Sequence, residues 1–492
     1  MKPTRSPLFI GLITGSIALL VYGLTLAPDL TWANHSGDGP ELITAALTLG
    51  VPHPPGYPIY TMLGYLFAQL PIGTAAFRFN LFSAAGMAVA AGFTAAGSWQ
   101  ILQLTQRRRD AEESYVTSAC YYIPITVGLT FAFAPLVWSQ ATVAEVYGLH
   151  MAFLAATLWA LWQLRPHPWL CGGLLGLTIT THLTAWLWLP LALVLVKPRH
   201  WLALGGGLLL GLTPFLALPW LAQSDGPLVW GRPDTWAGWW WVVSARIYHP
   251  NLLAHGWVYS GQQAWHLLGL LTIQFTPVGL LLVGYGLNLT GWQSQIAQNL
   301  SGLREKWGWL VLGGTAVIYF LYASLYHTPD YHIFILPALL PLAYLITPAL
   351  HDLWHRSTLR LPPMLPLLLP LLLLLLHFPQ QNLRQDTAVR PAAIALLEAS
   401  PLEAILLTPG DQTISTLWYF QVGEGVRPDL VLVDHNLFGF DWYRERLGRT
   451  YPFLTALDQG DPAIFAKMNE GKRPFCHVGF SETIDPIIQC SR

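Results

Sequence analysis

Long apolar runs, separated by short polar clusters, fill most of the first 379 positions. A hydrocarbon core about 30 Å thick needs roughly 20 apolar residues per crossing helix. Runs of this kind fall at 7–26, 80–104, 118–137, 146–164, 168–182, 183–196, 201–221, 263–286, 307–326, 333–350 and 362–378. They predict about eleven transmembrane helices; the two around His182 are each short and read as one span or two. Within the loop 27–79 two weaker patterns stand out. Residues 40–49 and 57–70 have helical, amphipathic spacing but are short for a span, and 57–70 is placed at the membrane interface. The first run begins Met-Lys-Pro-Thr-Arg with no small-residue cleavage site after it, so a retained anchor is expected. Past residue 380 the pattern changes. Helical periods at 387–398, 411–421 and 439–449 alternate with strand-like 403–408 (EAILLT) and 429–434 (DLVLVD), predicting a small α/β unit with parallel pairing.

Composition agrees with this division. Of 492 residues, 53% are hydrophobic and 10% charged, against roughly 25% charged in a soluble domain. A wholly soluble chain is excluded. A net charge of −1 also argues against a nucleic-acid partner, which calls for a basic face. Residues 1–379 carry 27 charges and residues 380–492 carry 24 in far less chain, so the expected domains are 1–379 in the membrane and a soluble 380–492.

Short-loop Lys and Arg set orientation. With the N-terminus on the cytoplasmic side, inner segments hold twelve: Lys2, Arg5, Arg107, Arg108, Arg109, Arg165, Lys197, Arg199, Arg304, Lys306, Arg356 and Arg360. Outer loops hold three, Arg78, Arg232 and Arg246, beside seven acids. An odd span count then puts the tail on the same periplasmic, extracellular or luminal side. Cys476 and Cys490 lie in that tail, where they could be paired or free.

The first outer loop concentrates the chemistry. Asp38-Gly-Pro-Glu41 opens the first amphipathic helix, and His53-Pro-Pro-Gly-Tyr-Pro58 closes it with three prolines. One reading is purely structural, with Asp38 as an N-cap and Glu41 as a capping-box acid, both favoured in a first turn. The other is that a rigid turn beside two carboxylates over a bilayer holds a general base, or a metal-binding pair.

The loop with His53–Pro58, then Arg78-Phe-Asn80-Leu-Phe-Ser83, Ala144-Glu145-Val-Tyr147, Thr181-His182-Leu183-Thr184, Pro329-Asp330 and the tail's Gly410-Asp411 and Arg427-Pro428-Asp429, resembles the protein O-mannosyltransferase-like family of GT-C membrane glycosyltransferases. The resemblance spans nearly the whole chain. One departure is Asp38-Gly-Pro-Glu41 where the family has an Asp-Ser-Gly-Glu-like element; the carboxylates keep their spacing, but Pro40 alters the backbone between them. The resemblance implies a GT-C fold and transfer of a sugar, a hexose such as mannose, from a polyprenyl-phosphate carrier to a hydroxyl acceptor, protein or glycan, on the outer face. It assigns the base to Asp38, with Glu41 as its partner or a ligand.

Phosphate calls for positive donors. His53, Arg78 and Arg246 are the candidates, each with a packing or snorkelling alternative. Glu145, His182 and Asp330 are secondary sites, as ionisable groups close to the membrane. No HExxH, CxxC pair or Gly-rich phosphate loop occurs, so the motifs require no cofactor or divalent metal. Trp230, Trp236, Trp239, Trp240, Trp241 and Trp257 suit an interfacial belt, or sugar stacking. A transporter or flippase of lipid-linked material is the competing class. It would place polar groups at midplane in repeated halves, whereas the acids here cluster in one outer loop. The altered acidic element also leaves a non-catalytic scaffold as an expectation to be tested.

Overall fold

A computed structural model describes residues 7–109, 119–163, 167–291, 300–357 and 362–491. Lys2, Arg5, Arg165 and Arg360, counted above for orientation, lie outside the described residues. Helices in chain order are α1 (Pro7–Thr25), α2 (Gly39–Thr48), α3 (Pro58–Ala68), α4 (Ala75–Arg109), α5 (Ala119–Ala132), α6 (Pro135–Ala141), α7 (Tyr147–Gln163), α8 (Pro168–Thr181), α9 (Leu189–Leu195), α10 (Trp201–Gly211), α11 (Leu218–Leu221), α12 (Trp236–Val243), α13 (Gly256–Gly291), α14 (Leu300–Leu325), α15 (Leu339–Arg356) and α16 (Leu368–Gln381).

Every predicted span is helical in its described part, but fewer cross-membrane lengths result than eleven. Six helical stretches are long and apolar enough on their own: Pro7–Thr25, Ala75–Gln103, Pro198–Leu221, Gly256–Thr290, Trp307–Leu325 and Tyr331–Arg356. A seventh forms if α5 and α6, bent by 68°, count as one span. Proline causes the breaks. Pro135 starts α6 with its φ already helical, and α13 kinks where Thr276, at φ 60°, precedes Pro277. Around His182 the chain forms two pieces: α8 ends there, and a 3₁₀ turn, Leu183–Trp188, leads into α9.

The long α4 packs along α1, α5 and α7, and α8 packs along α10. In a bilayer such pairs gain from close backbone approach at small residues. The α8–α10 seam is of that kind: a Cβ on Gly172 would sit 1.9 Å from the Leu204 carbonyl oxygen, and one on Gly207 1.9 Å from that of Trp169.

The C-terminal α/β unit comprises α17 (Val389–Ala399), β1 (Ile405–Thr408), α18 (Asp411–Trp418), β2 (Val431–Asp434), α19 (Asp441–Thr450), α20 (Pro462–Asn469), β3 (Phe475–Phe480) and β4 (Pro486–Cys490). Its sheet order is β2-β1-β3-β4, with β1 parallel to β2 and β3, and β4 antiparallel. The predicted β1–α18–β2 unit is present. Strands β3 and β4 are additional, and Cys476 pairs with Cys490 across them as a disulfide.

This unit is bonded to the start of the chain. Arg390 hydrogen-bonds both Asp29 carboxylate oxygens and, through Nη1, Glu424 at 2.7 Å. Thr31 donates to Asp386 at 2.6 Å, and the Trp32 indole donates to Thr416 of α18 at 3.2 Å. The Tyr419 hydroxyl accepts from the Ala76 amide.

Candidate active site

The first loop folds around its own backbone. Leu49 turns into the left-handed region after α2, and Val51 pairs with the 228–230 segment: its amide donates to the Leu228 carbonyl at 2.9 Å, and its carbonyl accepts from Trp230 at 3.0 Å. The proline-rich turn then doubles back, placing His53 over the first turn of α2. Asp38 is the N-cap residue but makes no side-chain cap. Glu41 does not close a capping box either. One of its carboxylate oxygens accepts from the His53 amide at 2.8 Å, and the other meets His53 Nδ1 at 2.7 Å. His53 Nε2 faces Asp38 Oδ2 at 3.7 Å. Neither acid makes the cap hydrogen bond of an N-cap or capping box; both face the His53 imidazole.

The electrostatics follow from burial and charge. Desolvation works to lower the pKa of His53, but Glu41 and Asp38 outweigh it and bring it up to about 10, so the ring is an imidazolium at neutral pH. Asp38 is raised above the ordinary carboxylate range, first by desolvation and then by Glu41 and Asp330, with His53 opposing. Its side chain is half exposed (53%) and lines a cavity.

That cavity measures about 1330 Å³. Asp38, His53, His182 and Asp330 line it, together with Trp32, Tyr57, Tyr248, Tyr326 and His332. Glu41 stands just behind, in a narrow recess shared with Asp38, His53 and Asp411. Glu145 is buried, with its backbone held by Ser83: the Ser83 hydroxyl donates to the Glu145 carbonyl at 3.0 Å and accepts from its amide at 3.1 Å.

Two expected phosphate partners are elsewhere, a correction to the sequence reading. Arg78 hydrogen-bonds the carbonyls of Thr74, Ala68 and Leu70, fastening the α3–α4 turn, and does not line the cavity. Its neighbour Asn80 braces the first loop through the Ala27 and Asp29 carbonyls, at 2.9 and 3.0 Å. The Arg78/Asn80/Ser83 motif is thus scaffolding for the loops that bear the acids. Arg246 is exposed and does not line the cavity, although its neighbours Ala245, Tyr248 and His249 do. Among the described residues, none lining the cavity is Lys or Arg.

Asp38, Glu41 and His53 offer ligand atoms within 4.8 Å of one another, a cation-site spacing. Within this set both Glu41 oxygens are hydrogen-bonded to His53, and Asp38 is the exposed member.

A second, apolar cavity of about 510 Å³ shares Leu183 and Ser244 with the first. Ile179, Trp186, Leu209, Leu212, Trp239 and Trp240 line it. Of the tryptophans singled out above, Trp236, Trp240 and Trp257 are exposed as a belt requires, whereas Trp230 is buried against Trp442. Asp411 and Gln412, assigned no chemistry from sequence, also line the polar cavity. Only the Gly410-Asp411 element, absorbed into the general resemblance, pointed to them.

The described fold resembles that of ArnT from Cupriavidus metallidurans in the apo state, with a TM-score of 0.51, 14% identity, and coverage of 96% of this chain and 93% of that one. The chain is a multi-pass membrane protein with a GT-C fold. Residues 38–203 match the family model of the protein O-mannosyl-transferase TMEM260 N-terminal domain, and residues 389–453 match TMEM260-associated domain 2. The chain is 25% identical to the protein O-mannosyl-transferase TMEM260 of Mus musculus over an alignment of 532 residues, covering 96% of this chain and 72% of the relative. It is 28% identical to the Dictyostelium discoideum protein of that name over 150 residues, 30% of this chain and 16% of that one. The chain is thus a glycosyltransferase that is similar to the protein O-mannosyl-transferases in these segments.

Proposed function

We propose that the protein transfers a hexose, mannose by its relatives' name, from a polyprenyl-phosphate carrier to a protein Ser or Thr hydroxyl on the outer face of its membrane. The observation that carries this reading is an apolar cavity that shares wall residues Leu183 and Ser244 with the larger cavity in which Asp38, a carboxylate with a raised pKa, is exposed. A lipid-linked donor needs both environments, with its chain against Leu209, Leu212 and Trp239 and its sugar-phosphate beside Asp38. Asp38 is the general base. A carboxylate shifted toward neutral pH accepts a hydroxyl proton more readily while remaining the stronger base. As the acceptor oxygen bonds to the anomeric carbon, its proton passes to Asp38 and the carrier phosphate leaves with the electron pair of the broken C–O bond. His53, kept charged by Glu41, is the positive group beside this exchange, and tyrosines such as Tyr57 and Tyr248 offer further donors.

The N-terminus is cytoplasmic in this reading. About eleven helical segments, several of them broken or short, cross or enter the bilayer, and residues 380–492 form a soluble domain on the outer side. The twelve-to-three split of basic residues supports this, as does the Cys476–Cys490 disulfide, which suits an oxidising compartment.

The test is Asp38→Asn in isolated membranes, with polyprenyl-phosphate mannose and a Ser/Thr peptide. Transfer should fall by about 10²-fold or more with expression and detergent stability unchanged. Wild-type rates in this variant would refute the base assignment. Movement of the intact lipid-linked sugar across the bilayer, without transfer, would favour a flippase instead.

A further inference from the structure

One wall of the polar cavity comes from the far end of the chain. Asp411 and Gln412 open α18 directly after β1, and both are exposed toward the cavity they share with Asp38, His53 and Asp330. Asp411 also borders the recess between Asp38, Glu41 and His53. Neither side chain has a hydrogen-bond partner among the described residues.

Their position is firmly built. Thr416, one turn further along α18, accepts the bond from Trp32, itself a cavity-lining residue. At the head of the helix, Thr408 donates to Asp434 at 2.8 Å, whose other oxygen accepts from the Asn436 and Leu437 amides at 2.9 Å. An acid in a first turn also suits the helix dipole, but that role does not require it to face the cavity, nor an unpartnered Gln412 beside it.

We propose that Asp411 and Gln412 bind the acceptor, receiving N–H and O–H donors of the polypeptide next to the reacting hydroxyl and holding it over Asp38. This rests on the glycosyltransferase reading above. An acceptor arriving from water meets the α/β unit first and needs hydrogen-bond acceptors for its amide groups. Burial, with the nearby charges of Asp434, Glu41 and Asp38 and against that of His53, brings the Asp411 carboxyl up to about 6, so it is mostly ionised at neutral pH and protonates in mild acid.

The experiment is steady-state transfer by the full-length protein in proteoliposomes, varying polyprenyl-phosphate mannose and a Ser/Thr peptide separately. Losing a hydrogen bond to a charged group lowers affinity about tenfold or more. Asp411→Asn and Asp411→Ala should raise the peptide KM by that factor, leaving the donor KM and the thermal midpoint unchanged and kcat nearly so. Asp38→Asn should instead abolish kcat. In the wild type the peptide KM should worsen from pH 7.5 to 5.5, and in Asp411→Asn that dependence should vanish. Active wild type with an unchanged peptide KM in Asp411→Ala overturns the proposal, as does a rise confined to the donor KM. A wild type that transfers no sugar would overturn the parent reading, and this one with it.

Discussion

Replacing Glu41 with Gln keeps the size of the side chain and a hydrogen bond to His53 but removes the charge that holds the imidazole protonated. In the folded protein His53 titrates at about 10, against 6.5 for a free histidine. That interval corresponds to about 5 kcal/mol in full. The sign follows from the unfolded chain, where the ring loses its proton near 6.5. Stabilisation is complete below that pH and disappears as pH rises through about 10. Linkage gives about 4 kcal/mol at pH 7 and about 1 kcal/mol at pH 9. Asp38 remains in the variant and retains part of this, so the expected penalty for Glu41→Gln is about 3 kcal/mol at pH 7, within the range for opening a buried ion pair, and about 1 kcal/mol at pH 9. The assay is thermal or denaturant unfolding of detergent-solubilised protein at pH 7, 8 and 9, followed by tryptophan fluorescence. Trp230 is a local reporter, its ring centroid 6.4 Å from that of His53. A penalty that is the same at pH 7 and pH 9 would mean that His53 is neutral in the fold. No penalty at all would mean that the pair contributes nothing to stability. Either result refutes the reasoning.

Other outcomes follow from the same contacts. Arg390→Met removes the bonds to Asp29 and Glu424; a loss of about 2 kcal/mol is expected, read as a lower melting point and faster proteolysis between residues 382 and 389. Replacing Cys476 and Cys490 by Ser opens a bridge between positions 14 apart, expected to cost about 3 kcal/mol. That loss should appear as a lower unfolding midpoint, with transfer at low temperature unaffected. Asp38→Asn remains the direct test of catalysis, with loss of turnover and no loss of fold.

The membrane part was legible because apolar length is a one-dimensional signal, and each predicted span carries helix. Proline breaks such as Pro135 and Pro277 were visible as residues but not as bends, so among the described residues the eleven expected segments yield six stretches long and apolar enough to cross, or seven with the bent α5–α6 pair. Asp38, Glu41 and His53 were readable because a short, rigid turn brings positions 12 and 15 apart together. Arg78 and Arg246 misled for a different reason. Charge type shows what a guanidinium can bind, whereas its partners depend on direction, and nearby carbonyls meet Arg78 first. Strands β3 and β4 escaped notice because, unlike the wholly buried and mostly apolar β1 and β2, β3 carries an exposed His477 and β4 is largely exposed. Asp411 is over 350 residues from His53, so only tertiary structure could place it at the site.

The Arg390–Asp29 latch joins residues 361 positions apart, and the cavity wall runs from Trp32 to Gln412. Contacts of such separation close late, since the loop entropy must be met before they reward the chain. During synthesis Asp38 therefore emerges long before the wall that faces it. A nascent chain that has inserted only its early helices holds Asp38 but not the α18 wall beside it. The last quarter of the sequence thus acts as a completion signal: a truncated or stalled chain leaves the site open to water and without its α18 wall.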